Sequence, residues 1–467
     1  MKKIIYIFLS TIILTGVLSS CSKEALEPTL AQNVLWEDAL VTSDDVRTLI
    51  NGAYNRMTGS GYYGRDFIIW GEVRSDNCFS NGWSGRFVSD ARMDYTDNFG
   101  GHWTEAYDVI AVANIIINHD MSQIEGDADL LDHYVGQAYA IRALAHYDLL
   151  IYYGQMHTGG TLGVPYVKTY EKEFTGQEPP ARLTVNETLT EIYADIETAI
   201  SLMDPAYDDS SKEYFTYYGA QALKARVATY FGDSPDVIDA CEAIITSGNY
   251  AIVPGDDYAK SFLNDAAINS IFELAFSSTD NANINGLQYI YRGSSYGDIE
   301  CLEDLYLAFE AGDVRAEPDM IGPDPELGAG YRPYVNIGKY PSTDYSDNIP
   351  IFRYEEVLLN YAEALWRESQ NAYNGDTPLD ILNLVPAERN ASAYAAIDED
   401  NILLERRREL CFEGLRFHDL ARTGRDIPEV SLNQSHGGPA YGSYNYAFPI
   451  PVVEMDANKN MVQNDGY

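Results

Sequence analysis

Apolar positions along most of the chain recur every three or four residues, the period of helices packed on one face. In "QAYAIRALAHYDLLIYYG" (137–154), Ile141, Leu144, Ala145, Leu149 and Tyr152 fall on one side. "YEEVLLNYAEALWRES" (354–369) repeats the spacing through Tyr354, Leu358, Tyr361 and Leu365. "GAQALKARVATYFGDSPDVIDACEAIITSG" (219–248) reads as helix, break, helix, closed by Gly248. There Ser234 is placed to cap the second helix, with Pro235 at its first position. Helix–break–helix units of roughly 34 residues with Ala at close-packing positions resemble tetratricopeptide repeats. Candidate pairs lie near 105–153, 187–230, 219–247 and 355–390.

Between them run long stretches without a period, at 55–100, 155–185, 277–300, 311–350 and 424–450. Segments of that length in a compact body are functional or disordered as a rule, and their aromatic content favours order. "SIFELAF" (270–276) suits a minor strand. "SDNCFSNGWSGRF" (75–87) is the puzzling one: Phe79 and Trp83 stand among turn formers, where no period hides them in a core.

The N-terminus changes the picture. Lys2 and Lys3 precede an apolar run from Ile4 to Val17, the layout of a secretory signal peptide too short for a membrane span. "LSSC" (18–21) looks like a lipobox, so cleavage before Cys21 and acylation of its thiol and amine are expected, with residues 21–35 as a tether. Several acyl chains on one Cys anchor a protein firmly, at about 0.8 kcal/mol per buried CH₂. No later stretch reaches 18 consecutive apolar residues, so contact with the membrane is expected through the anchor only, on a single body from residue 36 to 467.

Of the 31 basic residues, Lys2 and Lys3 leave with the signal peptide, so 29 face 71 acidic ones, a net charge of −42. Such a polyanion repels nucleic acid and anionic lipid. The acidity is spread out, as on a solvated surface. A structural calcium ion is conceivable, but "DEDNILLE" (398–405) lacks the glycine of a calcium loop, and no cofactor is expected. Cys78, Cys241, Cys301 and Cys411 show no C-x-x-C spacing, which disfavours a thiolate metal site; export permits disulfides, and buried free thiols are equally compatible. Tyr is abundant, 37 against 16 Phe, suiting surfaces that need flat apolar faces with a polar handle.

Several passages then resemble one family. "ERRRELCFEGLRFHDLAR" (405–422) is similar to the signature helix of the SusD/RagB outer-membrane nutrient-binding lipoproteins. "RYEEVLLNYAEALWR" (353–367), the 219–250 hairpin and "RLTVNETLTEIYADIETAISLM" (182–203) look like its repeat helices. "WGEVRSDN" (70–77) resembles the segment before its variable loops. "FPIPVVEMDANKNMVQNDGY" (448–467) resembles its closing segment, with Asp465 where the family usually has proline. The resemblance implies a mainly α fold: TPR-like hairpins in a right-handed superhelical scaffold, a loop-rich irregular ligand-binding half that includes 55–100 and 277–350, and minor short strands. It implies a non-enzymatic protein on the outer face of the outer membrane, capturing oligosaccharides, or in some members peptides, for a SusC-like TonB-dependent transporter.

Read from the residues alone, 405–422 is structural. Its Arg and Glu residues are spaced for ion pairing, Gly414 admits a second backbone, and a charge network is a better account of Glu409 and Glu413 than catalysis. Sugar rings carry a C–H face that an exposed indole or phenol covers, and about 50 Å² of it is worth on the order of 1 kcal/mol at ~25 cal/mol per Å². Trp83 is therefore expected as the platform, with Asn81 and Arg86 beside it. Asp76 and Asn77 are further contacts in a segment that also suits a turn, and "YIYRGSSYGD" (289–298) offers Tyr291, Arg292 and Tyr296. Trp36, Trp70, Trp103 and Trp366 read as packing residues. Two other classes remain: a secreted all-α glycoside hydrolase, needing two carboxylates about 5–9.5 Å apart, and a TPR scaffold that binds only proteins. Neither has a motif in its favour.

Overall fold

A computed structural model of the chain describes residues 40–96, 98–170, 178–293, 295–434 and 439–467. The signal peptide, Cys21, the tether and Trp36 lie outside the described residues. The helices used below are α1 (Ser43–Met57), α2 (Asp66–Val73), α3 (Trp103–Asn118), α4 (Ala128–Tyr153), α5 (Val185–Leu202), α6 (Tyr217–Phe231), α7 (Ser234–Ser247), α8 (Leu287–Arg292), α9 (Tyr354–Glu368), α10 (Glu399–Leu410) and α11 (Arg416–Arg422). The strands are β1 (Cys78–Ser80), β2 (Ser270–Leu274), β3 (Ile299–Cys301), β4 (Ile321–Gly322), β5 (Val335–Asn336) and β6 (Ile349–Arg353). They form three antiparallel two-stranded ladders, β1–β3, β2–β6 and β4–β5.

Local chemistry sets the helix ends. Thr42 and Asp45 close a capping box on α1, and Thr184 and Glu187 another on α5. The tight α6–α7 turn is Gly232, at φ +79°, and Asp233, whose N–H donates to Ala228 O at 2.9 Å. Ser234 is thus the first residue of α7 and Asp233 takes the N-cap position, one residue earlier than the sequence suggests. Successive helices then lie side by side. α1 packs on α3, α3 on α4, α4 on α5, α5 on α6, α6 on α7, and α7 on α9, which also packs on the short helix Pro378–Leu382. This is the mainly helical, TPR-like scaffold.

α4 departs from its one-sided pattern. It starts at Ala128, and His133, Arg142, His146 and Asp148 are buried along with its apolar face, because helices cover it on several sides. Arg142 is held by both Asp195 oxygens at 2.7 Å. Asp148 accepts a hydrogen bond from Tyr62, yet burial outweighs it and pushes the carboxyl up to about 8.

The 405–422 segment is two helices. α10 ends before Cys411, Phe412 and Gly414 take φ of +69° and +80°, and α11 leaves at Arg416. The break lets two backbones touch. A Cβ on Gly71 of α2 would fall 1.9 Å from Gly414 O, and one on Gly414 would fall 2.9 Å from Ile68 Cα. Gly414 N–H also donates to Glu72 Oε1 at 2.8 Å.

The expected charge network is present, but most partners come from other elements. Glu409, fully buried, receives Arg389 Nε at 3.0 Å, Arg353 Nη1 at 3.0 Å and Arg315 Nη1 at 3.3 Å. Arg315 also holds Glu405 and Asp313, Arg353 and Arg389 share Glu355, and Lys339 joins Arg353 on Glu413. Burial alone would raise the Glu409 pKa; Arg389, Arg353 and Arg315 overcome it and hold the carboxyl well below the usual range.

Two outcomes follow. Glu409→Gln keeps the shape but leaves three buried guanidiniums short of charge, so urea unfolding at neutral pH is expected to show a loss of about 3 kcal/mol or more. The unfolded chain gives up the Asp148 proton near pH 4 and the folded protein keeps it to about 8, so the native state holds the extra proton between these values and loses stability as pH rises. Relative to Asp148→Asn, the wild type should lose about 1.4 kcal/mol per pH unit from pH ~5 to ~7.5.

Candidate functional site

The stretch after α2 begins deep in the protein. Asp76 and Asn77, expected as ligand contacts, are buried and committed to structure. Asp76 takes a bidentate pair from Arg416 at 2.6 and 2.8 Å, with Arg407 at 3.5 Å, and these cations bring its pKa down against the effect of burial. Asn77 donates to Glu72 at 2.8 Å and accepts from Arg407 Nε at 2.9 Å. The turn residues after α2 thus bolt to α10 and α11.

β1 leaves from that anchor. Asn77 O accepts Leu302 N–H at 2.9 Å, the ladder pairs Phe79 with Glu300 and Ser80 with Ile299, and Asn81 N–H donates to Asp298 O at 2.8 Å. The chain then turns through Gly82 and Gly85, at φ +72° and +85°, where glycine avoids the Cβ penalty. Ser80 Oγ closes the turn by donating to Arg86 O at 2.8 Å, and the buried Phe87 ring under the Arg65 guanidinium ends it.

Trp83 sits at the tip with 50% of its surface exposed. Its backbone is fixed on both sides. Trp83 N–H donates to Asn81 Oδ1 at 2.9 Å, and the next residue, Ser84, donates from N–H and Oγ to the buried Asp298 carboxylate at 2.7 and 2.6 Å. Asn81 Nδ2 donates to Gly297 O and Glu300 Oε1, at 2.8 and 2.7 Å. Asn81 therefore orients the loop more than it faces solvent.

Arg86 and Tyr296 come together: the guanidinium carbon lies 3.8 Å from the ring centroid, and Arg86 Nη2 reaches Asn285 Oδ1 at 3.2 Å. Tyr289 meets Tyr296 edge-on at 5.8 Å and Tyr345 at 6.2 Å, so half-buried rings continue along this surface. Tyr345 also lines a small cleft with Gln288 and Asp347.

Tyr291 and Arg292 do not join them. Residues 287–292 form α8, whose Leu287, Ile290 and Tyr291 point inward; Tyr291 is fully buried with its ring 5.5 Å from Phe412. Arg292 donates to the carbonyls of Asn336, Ile337 and Tyr340 at 3.2, 2.8 and 2.7 Å. Tyr289, Asn285 and Tyr345 are the additions. Had 287–292 been read as a helical turn, the i, i+3, i+4 face would have sent Tyr291 in and Tyr289 out. Trp70 and Trp103 are core residues and Trp366 packs half-buried, as their patterns indicate. Among the described residues, no cluster of His, Cys, Asp or Glu is arranged for a metal ion, and no helix is long and apolar enough to cross a membrane.

Comparison with known proteins places this architecture. Residues 36–229 match a family profile described as starch-binding, associating with the outer membrane, and residues 318–467 match the SusD family profile. The chain belongs to the SusD/RagB family. A SusD-like protein of Formosa agariphila, P38, is 25% identical over 91% of this chain and 93% of its own. The starch-binding protein SusD of Bacteroides thetaiotaomicron is 35% identical over a shorter stretch, 28% of this chain and 23% of its own. A SusD superfamily protein of Bacteroides vulgatus superposes with a TM-score of 0.82 at 26% identity, covering 91% of this chain and 99% of that one. Surface glycan-binding protein A of Bacteroides fluxus shares the fold, with a TM-score of 0.76 at 22% identity over 91% of this chain and all of its own. The family description names association with the outer membrane, and the descriptions of the Bacteroides thetaiotaomicron and Bacteroides fluxus proteins name starch and glycan binding, respectively.

The geometry predicts that the tip loop depends on Asp298. A hydrogen bond to a charged acceptor is worth about 1.5–3 kcal/mol, so in Asp298→Ala the Ser84 amide should exchange with deuterium at least about tenfold faster, with α4 amides unchanged.

Proposed function

We propose that this SusD/RagB protein is a lipid-anchored, non-catalytic glycan-capturing protein on the outer face of the outer membrane, which hands oligosaccharide to a SusC-like TonB-dependent transporter. The observation that carries the reading is Trp83: a half-exposed indole on a backbone pinned by Asn81 and Asp298, beside the stacked Arg86–Tyr296 pair. Ordering a floppy aromatic on binding costs free energy, and a loop already held in place avoids most of that cost. The indole covers the C–H face of a sugar ring, while Arg86 supplies N–H donors for hydroxyls. One platform contributes on the order of 1 kcal/mol, so a few contacts give an affinity of about micromolar to millimolar, weak enough for release to a transporter. The glycan and starch binding named for the relatives, and the lipobox-like "LSSC" before the body, support the same reading.

Calorimetry on the body from residue 22, titrated with α- and β-linked glucose, xylose and mannose oligosaccharides, tests it. At least one is expected to bind and to be recovered intact, and Trp83→Ala is expected to weaken that binding about fivefold or more without shifting Tm. Unchanged affinity in Trp83→Ala removes the platform, and release of reducing ends replaces capture with hydrolysis. Binding of peptides alone would keep the fold and change the cargo.

A further inference from the structure

Cys78, Cys241, Cys301 and Cys411 are all free and buried. Two of them face each other. Cys78, the first residue of β1, is the direct partner of Cys301, the last of β3. Leu302 N–H donates to Asn77 O and Asn81 N–H to Asp298 O, so 77/302 and 81/298 are hydrogen-bonded pairs. Alternation along an antiparallel ladder makes 78/301 a non-hydrogen-bonded pair, the kind in which Cα atoms sit about 4.5 Å apart and side chains are closest. Cys301 N–H accordingly turns away from β1, to Tyr334 O at 3.0 Å. Disulfides span Cα separations of about 4.4–6.8 Å, so this position needs little backbone movement to be bridged. The thiols already interact: burial, and after it the adjoining Cys301 thiol, push the Cys78 thiol well above its ordinary pKa.

We propose that Cys78 and Cys301 form a dithiol–disulfide couple that, when oxidised, staples β1 to β3 directly beneath the Trp83 loop. The oxidant is a second disulfide, of a thiol–disulfide oxidoreductase or a small-molecule disulfide. One cysteine thiolate attacks it, forming a mixed disulfide and releasing one oxidant thiol. The other cysteine thiolate attacks the mixed bond, forming Cys78–Cys301 and releasing the second. Two electrons and two protons pass to the oxidant, whose S–S bond is replaced by two thiols. Burial confines the exchange to folding or to fraying of the short ladder. The other cysteines are placed differently: Cys241 Sγ lies on Val357 O at 3.4 Å within the α7–α9 packing, and Cys411 Sγ lies on Arg408 O at 3.5 Å. The cross-link closes a loop of about 220 residues and restricts the unfolded chain accordingly. The couple stands on the strand register, whereas its bearing on ligand capture rests on the proposed function.

The test uses the soluble body from residue 22, equilibrated with reduced and oxidised glutathione both folded and during refolding, then alkylated and digested without reduction for mass spectrometry. The expected result is a peptide pair linked through Cys78 and Cys301 in most chains, persisting in Cys411→Ala and lost in Cys301→Ala. Oxidised wild type should melt at least about 3 °C above the reduced protein, a difference absent from the Cys78→Ala/Cys301→Ala variant. No linked pair at the most oxidising ratio, or Cys411 as the main partner of either thiol, overturns the proposal. The peptide link is read without any glycan, so its absence leaves the Trp83 reading standing, and an inert Trp83→Ala leaves the couple standing.

Discussion

The footing of the exposed Trp83 loop depends on buried guanidiniums meeting buried carboxylates. Glu409 alone neutralises parts of Arg315, Arg353 and Arg389, and around it Asp313, Glu355, Glu405 and Glu413 complete the set. Such pairs need not be worth more than well-packed apolar residues, because removing the charges from water is costly. What they supply is specificity of arrangement: an arginine fork accepts its acids at fixed angles, and a wrong register strands a charge in the interior. Here the network selects one way of joining α9, α10, β6 and the 313–339 loops.

The same chemistry extends outward by one step. Arg407 and Arg416 seize Asp76 and Asn77, the ladder starts from Asn77, and the ladder carries the tip loop. A rigid interior thereby ends in a small, firmly based surface feature. The helical array contributes bulk and stiffness, whereas the exposed rings belong to connections between its members. Arg86 over Tyr296 shows how one residue can brace an aromatic and still keep part of its fork toward solvent.

Much of the scaffold was legible because it is periodic. Helix pairs, capping residues and the core tryptophans follow from short-range patterns that each segment carries by itself. The strand at 270–274 was legible for the same reason. Of the candidate site, exposed Trp83 was legible because it stands among turn formers, and Arg86 and Tyr296, which the structure brings together, were also named from the sequence. Asp76 and Asn77 misled, because nothing nearby reveals that their partners lie over 300 residues away. Tyr291 misled because one helical turn inside a glycine-rich stretch reads as loop. Ser234 misled by a single position, since the end of α6 decides where α7 begins. The 405–422 run looked like one helix because the backbone contact of Gly414 with α2 is invisible from either strand of sequence alone.

That contact also sets a timetable. Asp76 waits for Arg407, 331 residues downstream, and Gly71 waits for Gly414. Contacts of such long sequence separation form late, because the entropy of closing the intervening chain must be met before they stabilise anything. Early helices can form as they emerge, and the apolar "DFIIWGEV" segment already meets Phe99, His102 and Tyr152, but the side of it that faces Gly414 stays open until the last eighth of the polypeptide arrives. A chain cut short before that point leaves that side of the apolar segment uncovered, so the C-terminal segment completes the footing of an exposed loop encoded near the other end.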